Sequence, residues 1–302
     1  MNDIKISIII CTMNRCKDLS ACLTSVGNQT NLPHEIVIVD ASSDYTSKEL
    51  IKNYRYKIKS KLIYIKTEPG LTQQRNIGIN RSTGDIIAFL DDDVVLNNNF
   101  LKSMSKCFSE NKNIYGATGH ILNLGSEKKI AKVIRNLFLL PSSGKTGRMK
   151  RSGFANFVNP KQKNKLIRTQ ILSGCNMLFR RKVFDDNKFD EKFDGYGLME
   201  DVEFSFRVSK KYDLLFVKNS KLFHNRSKSE RINLDKYFEM LVFNHYYIFT
   251  KNIEQNLINW ILFIWSEIGM VIRCLFWVLK TGKLFSLKGF ILGHLRILNN
   301  KF

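Results

Sequence analysis

The segment "GDIIAFLDDDVVL", residues 84–96, decides the fold. Apolar residues run from Ile86 to Leu90 straight into Asp91, Asp92 and Asp93, and the chain then turns apolar again. A short continuous apolar run reads as a strand covered on both faces. Three adjacent carboxylates at its end repel one another at neutral pH, so they call for a positive charge among them. Oxygen ligands at a strand end suit a divalent ion such as Mg²⁺ or Mn²⁺, whose charge would remove the repulsion. Taken alone, the triplet also fits a solvated acidic turn.

The same texture recurs upstream. "IKISIII" (4–10), "HEIVIVD" (34–40) and "KLIYIK" (61–66) are short, β-branched and almost continuously apolar. Between the runs lie "CKDLSACLTSVGNQ", "SDYTSKELIKNYRYK" and "GLTQQRNIGINRSTG". Leu19, Cys22, Leu23 and Val26 have helical spacing, Ser43 or Asp44 is placed to cap the second helix, and Gly84 closes the third segment. Strand–helix alternation predicts an α/β protein with a mainly parallel, doubly wound sheet. Ligands in such sheets bind at the carboxyl ends of the strands, where Asp40 and the Asp91–Asp93 cluster fall.

A chain of 302 residues has room for one large α/β domain, or a core with an appendage. Its formal charge of +21 points to anionic partners. The six cysteines show no zinc spacing and no C-x-x-C pair, and are expected as free thiols in a reducing compartment. The opening "MNDIKISIIICTMNR" reads as a first strand rather than a signal peptide. Nucleic acid is not an expected partner: the basic residues lack interleaved aromatics and zinc-finger spacing. "SSGKTGR" (142–148) has Leu139 where a P-loop needs its first glycine, and no G-x-G-x-x-G occurs.

Two later regions have their own character. Residues 127–168 hold twelve basic residues and one acid, Glu127. Within them "KKIAKVIRNLFLL" has an apolar stripe with basic flanks, which suits a membrane-surface helix or an ordinary amphipathic core helix. From about 231 the helical period dominates. "LINWILFIWSEIGMVIRCLFWVLK" is long enough to cross a bilayer, but Glu267 and Arg273 interrupt it. An interfacial or re-entrant helix is expected, with Lys280, Lys283, Lys288 and Arg296 following as a basic tail. A packed helical hairpin in a soluble dimer is the alternative.

Five segments, in order, carry a wider resemblance: "SIIICTMNR", "EIVIVDASSDYT", "GLTQQRNIGINRSTGDIIAFLDDDV", "LSGCNMLFRRKVF" and "GYGLMEDVEFSFRV". Together the chain resembles glycosyltransferase family 2, whose members have the GT-A fold, over residues 4 to about 225. The resemblance implies a GT-A domain over 1–230, with a nucleotide-binding part at about 1–100 and an acceptor part at about 101–230, and a helical, membrane-associating extension over 231–302. It assigns Thr12, Asn14, Asp40, Arg75 and Asp91 to the nucleotide sugar. Asp93 becomes a metal ligand and His224, in "KLFHNRSKSER", a third ligand. Asp92 becomes a spacer facing the other way. Asp201 is the implied catalytic base, with Glu200, Asn176 and Gly174 toward the acceptor. Arg180 or Arg181 would contact phosphate or face solvent. The residues "GLM" before the acid pair lack the Gly-rich or Trp-containing segment of some relatives, which leaves the acceptor open.

The implied function is an inverting transferase that uses Mn²⁺ or Mg²⁺. It would move a sugar from a nucleotide diphosphate to a hydroxyl of a glycan or lipid-diphosphate-linked acceptor, in surface polysaccharide or glycoconjugate assembly. Membrane contact through 127–168 and 257–296 would place it in the cytoplasm at the inner face of a membrane. A nucleotidyltransferase of similar fold and a non-catalytic anion-binding module are the competing classes; the first would need a Gly-rich phosphate loop that "CTMNRCKD" lacks.

Overall fold

The computed structural model describes residues 4–125, 129–227 and 232–299. Glu127 and Lys128 of the basic stretch, and the first three residues of the opening segment, lie outside the described residues.

Strands β1 (Ile6–Thr12), β2 (Glu35–Asp40), β3 (Lys61–Lys66) and β4 (Ile86–Asp91) lie parallel in the order β3-β2-β1-β4. Helices α1 (Cys16–Gly27), α2 (Thr46–Tyr54) and α3 (Leu71–Arg81) make the crossovers. Successive strand residues point to opposite faces, and both faces are covered. Ile8, Ile10, Ile36 and Ile38 pack with Leu19, Cys22, Leu23 and Val26 of α1. Ile9, Val37, Val39 and Ile87 pack with Ile79 of α3 on the other side. The continuous apolar strands thus have the doubly wound setting that their texture predicts.

Beyond β4 the sheet changes direction. β10 (Asn176–Arg180) runs antiparallel between β4 and β6 (Ile114–Ile121). β11 (Asp213–His224) is parallel to β6 and carries β5 (Val94–Leu96) and β9 (Leu166–Thr169) as antiparallel neighbours. Helix α4 (Phe100–Glu110) buries Phe100, Leu101, Met104 and Phe108 beneath this half. The sheet is therefore parallel in its first half and mixed in its second. Reversal of β10 has a consequence for the site, because its amino end meets the carboxyl end of β4.

Helix α5 (Lys129–Leu137) and the short pair β7 (Ser142–Gly144) and β8 (Asn156–Val158) follow β6. Helix α6 (Glu200–Ser209) precedes β11, and α7 (Leu234–Asn252), α8 (Leu257–Thr281) and α9 (Phe285–Asn299) complete the chain. α7 is the buried member of this trio. Phe238, Leu241 and Val242 pack with Met270 and Cys274 of α8, and Tyr247 and Ile248 pack with Val202 of α6. All six cysteines are free thiols.

Glu267 and Arg273, the two charges in the middle of α8, do not interrupt its outer face. Glu267 is 9% exposed and turns inward between two histidines. His245 Nδ1 lies 2.9 Å from its Oε1, and His294 Nε2 lies 3.3 Å from its Oε2. Arg273 lies over the rings of Tyr237 and Phe238 on α7. Ile261, Ile264, Ile268, Ile272, Leu275 and Phe276 are left exposed on the outward side. By length and composition, α8 is able to cross a membrane.

Candidate active site

The carboxyl ends of β1 and β4, the loop before β10, the end of β11 and the first turn of α6 surround a cleft of about 410 Å³. Strand order brings them together. Cys11 pairs with Asp91 across β1 and β4, Leu90 pairs with Asn176 across β4 and β10, and His224 pairs with Val94 just after the acids.

Each acid of the triplet faces a cation, and Asp91 and Asp93 share His224. Asp92 is 3% exposed and turns to the first strand, accepting from Thr12 Oγ1 at 2.7 Å and from Arg15 Nη1 at 3.3 Å. Asp91 Oδ1 lies 3.7 Å from Arg75 Nη2. Asp93 Oδ1 lies 3.1 Å from His224 Nε2, while Asp93 Oδ2 accepts from the Ser227 N–H at 2.8 Å. Burial pushes Asp92 up to about 7 in spite of Thr12 and Arg15. Burial also raises Asp93, but His224 and the Ser227 N–H outweigh it and leave that carboxyl below its ordinary value. His224 is depressed by burial, then carried up to about 10 by its close contact with the Asp93 carboxylate. These acids demand a positive charge at one point between them.

That point has the donor set of a divalent-ion site. Single ligand atoms of Asp91, Asp93 and His224 all lie within 4.8 Å of one another. Asp93 Oδ1 is buried and has no hydrogen-bond partner of good geometry. Two carboxylates and an imidazole around a buried, unsatisfied oxygen fit Mn²⁺ or Mg²⁺.

Arg75 and the acid pair form the opposite wall. Arg75 is 3% exposed, donates from Nη1 to Glu200 Oε1 and from Nη2 to the Gly174 carbonyl at 3.3 Å, and lies against the rings of Phe89 and Phe189. It is a buried bridge between Glu200 and Asp91 on the cleft wall. Glu200 is committed to Arg75 through one oxygen, and its Oε2 is buried without a partner. Asp201 opens α6: Oδ2 accepts from the Gly174 N–H at 2.7 Å and Oδ1 from its own Val202 N–H at 2.8 Å. Burial raises the Asp201 carboxyl above its ordinary value. A raised pKa suits a group that must accept a proton near neutral pH.

Other sequence-derived assignments look different in three dimensions. Thr12 and Gly174 line the cleft. Asp40 is fully buried and saturated, accepting from Ser42 N–H at 2.8 Å, Ser42 Oγ at 2.5 Å and Tyr64 OH at 2.8 Å. Asn14 ties the β1 loop to the β2 loop, its Oδ1 accepting from the Ser43 N–H at 2.9 Å. Asn176 is fully buried and accepts from the Gly119 N–H at 2.5 Å and Thr118 Oγ1 at 3.0 Å. Asp40 and Asn176 are buried behind the edge and Asn14 is exposed in the loop after β1; none of the three lines the cleft. Arg180 and Arg181 are at the far end of β10, donating to the carbonyls of Ile114, Phe108 and Gly84. Neither an open phosphate contact nor a solvated side chain describes them.

Sequence reasoning missed Arg15 and the loop Gly195–Tyr196–Gly197. Both glycines have positive φ, 54° and 64°, which a side chain would strain. They set Tyr196 on the cleft wall. Gly195 and Gly197 stand five and three residues before Glu200. The signal was the G-x-G spacing within "GYGLMED".

The sequence profile of Glycosyl transferase family 2 matches residues 7–187. A cholesterol galactosyltransferase from Borreliella burgdorferi is 26% identical over 196 residues, covering 61% of this chain and 54% of that protein. The chain spans about half or less of the length of the first curated relatives it matches. The fold is shared with S. aureus TarS 1-349 in complex with UDP-GlcNAc (TM-score 0.61, 17% identity, 96% of this chain and 79% of that one). It is also shared with the mannosyltransferase PcManGT from Pyrobaculum calidifontis in complex with GDP-Man and Mn²⁺ (TM-score 0.61, 13% identity, 100% and 89%). The architecture is the GT-A fold.

Proposed function

Because the chain belongs to glycosyltransferase family 2, we propose that it transfers a sugar from a nucleotide diphosphate to an acceptor hydroxyl, with inversion at the anomeric carbon. The observation that carries this reading is the convergence of Asp91, Asp93 and His224 on one point of the cleft that Asp201 also lines. Structures that share this fold, one in complex with UDP-GlcNAc and one with GDP-Man and Mn²⁺, support it.

Asp91, Asp93 and His224 would hold the divalent ion, which when bound supplies Lewis-acid stabilisation to the departing diphosphate. Asp201 takes the proton of the acceptor hydroxyl as general base. The hydroxyl oxygen bonds to the anomeric carbon, and the bond from that carbon to the diphosphate oxygen breaks. Attack from the face opposite the leaving group inverts the centre through an oxocarbenium-like transition state. The Gly174 N–H and the first turn of α6 hold Asp201 in its orientation. Arg75 keeps Glu200 and Asp91 in place and adds positive charge behind the cleft.

The protein acts, in this reading, at the inner face of a membrane on a glycan or lipid-linked acceptor. Exposed Ile130, Val133, Ile134 and Leu137 on α5 and the uncharged outer row of α8 form its apolar contact, flanked by Lys129, Lys132, Lys280 and Lys283. Fractionation tests this part: protein wholly in the soluble fraction at low salt contradicts it. Melting of the protein with UDP-, GDP- and dTDP-sugars, with and without Mn²⁺, tests the donor reading. A metal-dependent rise with at least one donor, and hydrolysis of that donor, are expected; neither with any donor contradicts it.

A further inference from the structure

Asp201 lines two cavities. Behind the partition formed by Leu198 and Met199 lies a second space of about 270 Å³, bounded by α5, α7, α8 and the segment around β8. Its charged lining residues, among those described, are Asp201 and two arginines, Arg135 and Arg273. Most of the remaining wall is apolar, including Leu140 and Phe157. Met199 in the partition has φ 71°, a left-handed conformation uncommon for a side-chain-bearing residue, so the wall between the two spaces is held by the fold at a cost.

The arginines belong to two of the helices with exposed apolar residues. Arg135 is exposed on α5, among exposed Ile130, Val133, Ile134 and Leu137. Arg273 is half-buried on α8, with Nη2 3.3 Å from Tyr237 OH and its guanidinium over the Tyr237 and Phe238 rings. The helices are joined beside the cavity: Trp265 Nε1 donates to the Leu137 carbonyl at 2.7 Å, and the Trp265 and Phe138 rings stack at 5.0 Å. The cavity wall thus holds a proton acceptor on α6 and two cations on helices with exposed apolar residues.

We propose that this second cavity is the acceptor site and that its occupant is a phosphate-bearing amphiphile resting in the bilayer. This rests on reading Asp201 as the base. Arg135 and Arg273 hold the phosphate, with guanidinium forks that match its oxygens. The acceptor hydroxyl lies at Asp201, and the lipid chain leaves along the apolar faces of α5 and α8. Donor and acceptor then approach Asp201 from separate cavities.

Titration of the full chain with decyl phosphate, decyl glucoside and inorganic phosphate tests the proposal. Decyl phosphate is expected to bind at one site, with the neutral amphiphile and the free anion each about tenfold weaker or more. Arg135→Gln and Arg273→Gln should each weaken decyl phosphate by about fivefold or more, and Arg273→Lys should recover part of the loss. The melting temperature without ligand shows that each variant folds. Equal affinity for decyl glucoside would reduce the site to an apolar patch, and equal affinity for inorganic phosphate to a simple anion site; either overturns the proposal. So does a double Gln variant that binds decyl phosphate like wild type. Absence of any Mn²⁺-dependent nucleotide response in the wild type would instead remove the donor reading, independently of these binding results.

Discussion

Asp201 Oδ2 accepts a 2.7 Å hydrogen bond from the backbone N–H of Gly174. This contact links the first turn of α6 to the loop before β10 and fixes where the carboxylate points. It depends on the reversal of β10, which brings its amino end to the carboxyl end of β4.

Replacing Asp201 with Asn keeps the size and an oxygen for the Gly174 N–H but removes the proton acceptor. Transfer should fall by roughly 10²–10⁴-fold, while metal-dependent nucleotide binding persists. In the wild type, burial raises the Asp201 pKa, so activity should decline on the acid side at a pH above the ordinary aspartate range. A kcat–pH profile and a nucleotide melting shift on the variant check both statements.

Gly174→Ala probes position rather than chemistry. A Cβ at this residue would stand 3.1 Å from both Cβ and Oδ2 of Asp201, so the carboxylate must give way by a few tenths of an ångström. A displacement of that order should lower kcat by about tenfold with nucleotide affinity near wild type. Steady-state kinetics separates the two.

Arg75→Met strands the buried Glu200 carboxylate and removes a cation from Asp91. Loss of one partner of such a pair costs about 3–5 kcal/mol. The melting temperature should drop sharply, and the double variant Arg75→Met, Glu200→Gln should recover part of it. Thermal denaturation of wild type, Arg75→Met, Glu200→Gln and the double variant measures the coupling.

The tail has its own pH window. Burial pushes Glu267 up, but hydrogen bonds from His245 and His294 outweigh it and bring the carboxyl down to about 2. The hydrogen bond to Glu267 raises His294. A lowered carboxyl stabilises the fold above its unfolded pKa, and that contribution fades as pH falls toward 2. A raised histidine stabilises it below about 6.5, fading as pH rises through the folded value. Both contributions are complete only between about pH 4.5 and 6.5. The difference in melting temperature between wild type and Glu267→Gln should be largest in that window, with wild type the more stable.

The first half of the sheet was legible because strands buried on both faces must be apolar throughout, as "IIAFL" and "EIVIV" are. The cluster Asp91–Asp93 and the pair Glu200–Asp201 were legible as unlikely charges beside such runs. What could not be read was the partner of each group. Asp40 ends its strand like Asp91, yet Ser42 and Tyr64 saturate it, and only the neighbouring loops decide that. Arg75 lies on a helix whose sequence gives no hint of Glu200, 125 residues away. The apolar period of α8 is likewise blind to direction: Glu267 and Arg273 look like interruptions until His245 and Tyr237 show which side they face.

The central claim is that Asp91, Asp93 and His224 hold one divalent ion when the nucleotide binds. Titration with Mn²⁺ in the presence of UDP or GDP, read by electron paramagnetic resonance, tests it most directly. The account predicts one bound ion per chain, with binding weakened in His224→Ala and lost in Asp93→Asn. Unchanged Mn²⁺ binding in Asp93→Asn, or none in the wild type with either nucleotide, would contradict it.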